Sequence, residues 1–309
     1  MSAVEAAGAA GTGAGAAQAA GSVVEHELSE PWEGVLCEPE GGSEVGVLVL
    51  AGSSGRVLRE RARLFAEQGF SALAIRWFGG PGQAEAICEL PLETFTDAVG
   101  FLRDRGARRV GIVGTSKGAE AALLTAVRDP RVDVVVALSP TALVWGDVGA
   151  GPDGRRQPYR SSWTWQGEPL AFVPYDDDWW DTAPDRPRAI RGLYERSEKI
   201  FADRVEAAGI PVEQARADLV LVAGGEDRMW PSVGYALRLA EQRRRAGRTV
   251  RLISHGDAGH RVLFPGEPGH AASEEFDYGG SEEKDRLLGE QAWPRVLAAL
   301  RPDTAPGPA

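Results

Sequence analysis

The sequence predicts an α/β domain, a mostly parallel sheet with helices on both faces. Three observations carry this. Short runs rich in Val, Ile and Leu alternate with longer stretches of helical periodicity along the 309 residues. Those runs lack polar alternation, as do strands covered on both sides. The composition, 43% hydrophobic and 26% charged, is that of a globular protein. A chain of this length buries about 75% of its unfolded surface, so its core needs no disulfide or metal.

Taken in order, residues 1–22 are small, almost uncharged and without large apolar side chains. They have neither the basic start nor the apolar run of a secretory signal, and they bury too little to offset ordering. A disordered tail is expected there, and another at 303–309, with a single domain over 23–302. Residues 23–37 are expected to supply a leading antiparallel strand. Buried strands are predicted at Gly46–Leu50, Ser71–Ile75, Arg109–Val113, Asp133–Leu138, Leu219–Ala223 and Val250–Ser254. Helices are predicted at Val57–Gln68, Leu92–Arg105, Lys117–Arg128, Val233–Arg245 and Glu282–Leu300.

One region breaks the rhythm. Between about 141 and 212 there is no convincing strand, but Trp145, Trp163, Trp165, Trp179 and Trp180 crowd together with Tyr159, Phe172 and Tyr175. A long irregular insert in a compact domain is usually a lid or binding loop. The same aromatics could equally glue the insert to the sheet. On the first reading Trp145, Trp163 and Trp165, joined by Trp230, line a substrate pocket.

Composition also excludes. With 34 basic against 45 acidic residues the net charge is −11, so nucleic acid is not an expected partner. The two cysteines, Cys37 and Cys88, lie far apart, which argues against a disulfide scaffold or a Cys-rich zinc site and suits a reducing cytoplasm. No run approaches the roughly 20 apolar residues of a membrane span. No metal or bound cofactor is implied.

The chemistry begins at Gly114-Thr115-Ser116-Lys117-Gly118, a G-x-S-x-G between a strand and a helix. In that context the pattern is a nucleophile elbow, a strained turn that lifts the serine hydroxyl above the sheet. The alternative is an ordinary helix N-cap serine. An acid and a histidine should follow at the ends of later strands. Leu219–Ala223 runs into Gly224-Gly225-Glu226-Asp227, where Asp227 is preferred as the acid and Glu226 is the rival. Val250–Ser254 runs into His255-Gly256-Asp257-Ala258-Gly259-His260, where His260 has the freedom to reach Ser116, and His255 is the alternative. His26 and His270 read as surface and loop residues. For an oxyanion hole the donors would be the backbone N–H of Lys117 and that of Ser53, in the loop Ala51-Gly52-Ser53-Ser54-Gly55. That loop also reads as a plain Gly/Ser turn.

With these residues placed, the chain resembles the acyl-CoA thioesterase and bile acid-CoA:amino acid N-acyltransferase family, a dienelactone-hydrolase-like branch of the α/β hydrolases. Leu50–Gly55 with Arg61-Ala62 and Gly69-Phe70 is similar to its opening strand, loop and helix. Gly114-Thr115-Ser116-Lys117-Gly118-Ala119-Glu120 is similar to its elbow, in which the Lys and Glu are far more specific than the bare motif. Glu226–Ser232 is similar to its acid motif, and Ala258-Gly259-His260 with Pro265 to its histidine loop. The resemblance spans roughly residues 44–270 and implies Ser116, Asp227 and His260 as a triad.

Animal members carry a β-sandwich ahead of the hydrolase domain, and here a hydrolase domain alone is expected. Members that conjugate amino acids typically use cysteine, so serine leans toward hydrolysis of an acyl thioester on CoA or a carrier protein. An acyltransferase or cyclase, a carboxylesterase and a silent ligand-binding fold are the alternatives. Arg155, Arg156 and Arg160 either meet CoA or carrier-arm phosphates or form a solvated loop.

Overall fold

The structure, a computed structural model, describes residues 22–182 and 186–301. The expected disordered tails lie outside the described residues, apart from Ser22.

Eight strands form one sheet: β1 (Val23–Leu28), β2 (Gly34–Pro39), β3 (Val45–Leu50), β4 (Ser71–Ile75), β5 (Arg109–Thr115), β6 (Val134–Leu138), β7 (Asp218–Gly224) and β8 (Val250–His255). Their spatial order is β1-β2-β4-β3-β5-β6-β7-β8. The leading segment folds into two strands rather than one: β1 pairs antiparallel with β2, and β2 antiparallel with β4. All remaining pairs are parallel.

Helices α1 (Arg59–Glu67), α2 (Glu93–Asp104), α3 (Lys117–Arg128), α4 (Arg191–Ile200), α5 (Ser232–Arg245) and α6 (Glu282–Leu300) cover the sheet and carry the insert. Alternate strand residues serve opposite faces. Val47, Val49, Val113, Val136 and Val222 pack under α1 and α6, against Phe65, Leu288 and Val296. Leu48, Leu50, Ile112, Val135 and Leu221 pack under α2, α3 and α5, against Phe95, Leu123 and Leu239. Both faces are apolar, which is why no polar alternation marks these strands.

The irregular region between β6 and β7 contains more regular structure than expected. Trp163–Trp165 pairs with Glu168–Pro169 and with Leu90–Pro91 in a three-stranded sheet. A 3₁₀ turn at Asp177–Thr182 and helix α4 follow. Strands of two or three residues are too short for periodicity to register. The insert shares the α2/α3 core: Trp145, Trp163, Val173, Leu193 and Ile210 belong to the same apolar cluster as Leu48 and Ile112.

Candidate active site

The parallel strands align their carboxyl ends at one level. Thr115 pairs with Leu138, Leu138 with Val222, and Gly224 with His255. The chain leaves β5 at Ser116 and enters α3 at once. Ser116 holds φ 57° and ψ −121°, positive-φ backbone that a non-glycine residue rarely adopts. The flanking glycines are sterically required: a Cβ on Gly114 would lie 2.2 Å from the Gly118 carbonyl oxygen, and one on Gly118 would lie 2.3 Å from that of Ala51. The serine is therefore held by the turn and is not an ordinary N-cap, since its side chain makes no capping bond to the helix. Lys117 is the first residue of α3, where a helix leaves its N–H groups unpaired. The loop carrying Ser53 runs alongside, with Gly52 so close that a Cβ there would lie 3.1 Å from the Ser116 Cβ.

Asp227 follows β7 and is buried, whereas the rival Glu226 is exposed. His260 is buried too, and its Nδ1 lies 2.7 Å from Asp227 Oδ2. The other Asp227 oxygen accepts the backbone N–H groups of Met229 and Trp230, at 2.8 and 3.2 Å, which fixes the carboxylate plane. The His260 ring meets the Trp230 ring edge-on at 5.6 Å and faces Tyr278 at 5.9 Å. Its backbone N–H donates to the Tyr278 carbonyl, and its own carbonyl accepts from Ser139 Oγ at 2.8 Å. Ser139 in turn sits one residue past Leu138, whose carbonyl accepts the Ser116 N–H at 2.9 Å. His255 is half-buried and accepts the Asp257 N–H through Nδ1.

The four tryptophans expected to line a pocket differ in exposure. Trp145 and Trp163 are completely enclosed. Trp145 Nε1 donates to Thr141 Oγ1, and Trp163 Nε1 donates to Glu120 Oε1 at 2.8 Å. Trp230 is nearly as buried, with its Nε1 donating to the Ser139 carbonyl, and Trp165 is partly exposed. Of the three arginines, Arg155 and Arg156 are exposed and Arg160 pairs with Asp153, the solvated-loop arrangement.

Two features escaped sequence reasoning. The Lys117 side chain folds back into the protein, where Nζ donates to Glu120 Oε2 at 2.9 Å and to Ser162 Oγ at 2.7 Å. Glu120 Oε1 also accepts the Trp145 backbone N–H, at 3.1 Å. Burial pushes the Lys117 ammonium pKa below its usual range, and Glu120 opposes the shift. This latch ties the insert to the first turn after Ser116. The second feature is Asp285, near the start of α6, whose Oδ1 accepts the Gly259 N–H at 2.6 Å. Burial pushes its pKa up to about 6, against the pull of that N–H, His260 and Arg261.

Sheet order, strained elbow and strand-end loops together are those of the α/β-hydrolase fold. Solved structures with this fold include a Klebsiella pneumoniae protein assigned as a dienelactone hydrolase, 14% identical with a TM-score of 0.56 over 90% of this chain and 98% of that one. The Pyrococcus horikoshii acylaminoacyl peptidase is 13% identical with a TM-score of 0.55 over 93% and 42%.

The sequence profile described as BAAT / acyl-CoA thioester hydrolase C terminal matches residues 90–305, and the chain belongs to that family. Among its relatives, mouse mitochondrial acyl-coenzyme A thioesterase 2 is 24% identical over 74% of this chain and 47% of its own length. Mouse acyl-coenzyme A amino acid N-acyltransferase 1 is 26% identical over 76% and 53%. The chain thus spans about half the length of these relatives. Among the described residues no helix is long and apolar enough to cross a membrane.

Proposed function

We propose that the protein hydrolyses an acyl thioester, of CoA or of a carrier protein, through an acyl-Ser116 intermediate. The observation that carries this reading is the buried Asp227–His260 contact at the strand ends next to a strained serine elbow. With Nδ1–H donated to Asp227, His260 presents Nε2 as the base. It takes the Ser116 proton as Oγ attacks the thioester carbon, and Asp227 compensates the charge gained by the imidazole. The N–H groups of Lys117 and Ser53 receive the oxyanion, the thiolate leaves with a proton from His260, and His260 then activates water to release the acid.

Ser116→Ala should lower thioester turnover by about 10³-fold or more, at an unchanged melting temperature. Full turnover in that variant, measured by thiol release from a panel of acyl-CoA esters, would refute the mechanism. The relatives named N-acyltransferases support a second reading, in which an amine replaces water. The same panel with added amino acids separates the two, because transfer yields an amide in place of the free acid.

A further inference from the structure

A buried ion pair that this reaction leaves unused lies behind the site. Arg61, on α1, is 6% exposed, and Glu267, on the loop after His260, is 8% exposed. Burying two charges carries a desolvation penalty that apolar side chains would not, so the pair calls for a reason other than stability. Its geometry supplies one. Arg61 Nε and one terminal nitrogen donate to the two Glu267 oxygens at 2.5 and 2.8 Å, and that nitrogen also donates to the Val262 carbonyl at 3.1 Å. The other terminal nitrogen donates to Thr115 Oγ1 at 2.9 Å. Glu267 Oε2 also accepts the Phe264 N–H, closing the loop on itself.

Thr115 immediately precedes Ser116, and Val262 follows His260 by two residues. One rigid guanidinium fork therefore spans the strand that presents the nucleophile and the loop that presents the base. We propose that Arg61 is a positioning residue that holds the His260 loop in register with the Ser116 elbow and so sets the approach of imidazole to hydroxyl. The proposal rests on the reading of Ser116 and His260 as nucleophile and base. A planar fork with donors on three sides suits this bridging, and lysine, a single flexible point charge, does not. Misplacement by about 1 Å can lower rates about 10²-fold, so a loosened bridge should show in the chemical step.

The test measures labelling of Ser116 in the full chain by a fluorophosphonate, taking the maximal rate and the half-saturating concentration separately. Thr115→Val cuts the strand end of the bridge and leaves the Arg61–Glu267 pair in place, while Thr115→Ser restores the hydroxyl. Thr115→Val and Arg61→Lys should each lose about ten- to a hundred-fold in maximal rate. Half-saturation and cooperative melting should be retained, and Thr115→Ser should label nearly as fast as wild type. Unchanged labelling in Thr115→Val, or equal loss in Thr115→Ser, overturns the proposal. If Arg61→Lys fails to fold, the Thr115 pair decides alone. Absence of wild-type labelling would overturn the nucleophile assignment and this proposal with it. Normal wild-type labelling with no loss in Thr115→Val overturns the proposal alone.

Discussion

Ser116 keeps its left-handed backbone because the turn around it leaves no room for a relaxed one. The same crowding acts on the residues that hold His260. A Cβ on Gly224 would lie 2.1 Å from the Gly259 carbonyl oxygen, so acid loop and histidine loop meet backbone to backbone. Asp285 caps this contact, and its elevated pKa sets a stability signature. The folded chain binds a proton at Asp285 up to about pH 6, whereas the unfolded chain releases it near the ordinary carboxylate value of about 3.9. The Asp285 contribution to stability therefore falls as pH rises from about 4 to 6 and stays reduced above that. Asp285→Asn keeps an oxygen for the Gly259 N–H and removes the titration. Its advantage over wild type should grow by on the order of 2 kcal/mol between pH 4.5 and 7.5, or about 5 °C in Tm. A difference in Tm that stays flat with pH, measured by thermal melts across that range, would contradict the assignment.

Helix α3 does two jobs at its first turn. Its backbone follows Ser116, and its Lys117–Glu120 pair receives Ser162, Trp145 and Trp163 from the insert. Glu120→Gln removes the buried countercharge of Lys117 and offers an amide where donors already converge. Loss of one partner of a buried pair costs about 3 kcal/mol or more, here roughly 10 °C in Tm. A melt within 2 or 3 °C of wild type, judged against that roughly 10 °C loss, would show that the latch is dispensable. Such elements also show what could be read in advance. Lys117–Arg128 and Glu282–Leu300 coincide with their predicted bounds, because the elbow starts one abruptly and Ser281 caps the other through its side chain. Ser116, Asp227 and His260 stand out locally because each follows a strand. The partners of Lys117 and Arg61 do not, since Ser162 lies 45 residues from Lys117 and Glu267 lies 206 from Arg61. Nothing in the local pattern joins residues that distant. The leading segment shows only one strand in its sequence because β1 is half exposed and carries Glu25, His26 and Glu27, leaving only β2 with a buried apolar run.

At the scale of the whole molecule, the question is whether the insert between β6 and β7 melts on its own. Its aromatic residues, the exposed Trp180 apart, join one contiguous cluster with the sheet face under α2 and α3. Trp163 packs against Trp77 at 5.5 Å and Phe95 at 5.9 Å, and Trp145 against Tyr194 at 4.7 Å. Opening the insert would uncover that face and strand the Lys117–Glu120 pair without Ser162 and Trp163, so insert and sheet should unfold together. Five of the nine tryptophans, Trp145, Trp163, Trp165, Trp179 and Trp180, lie in the insert, which makes fluorescence its reporter, while far-ultraviolet circular dichroism reports the sheet and helices. The two probes should give coincident transitions in denaturant, with one midpoint and one slope. A fluorescence transition that completes before the dichroism signal changes would mean that the insert opens as a separate unit, a lid joined to the sheet by contacts weaker than those of the core.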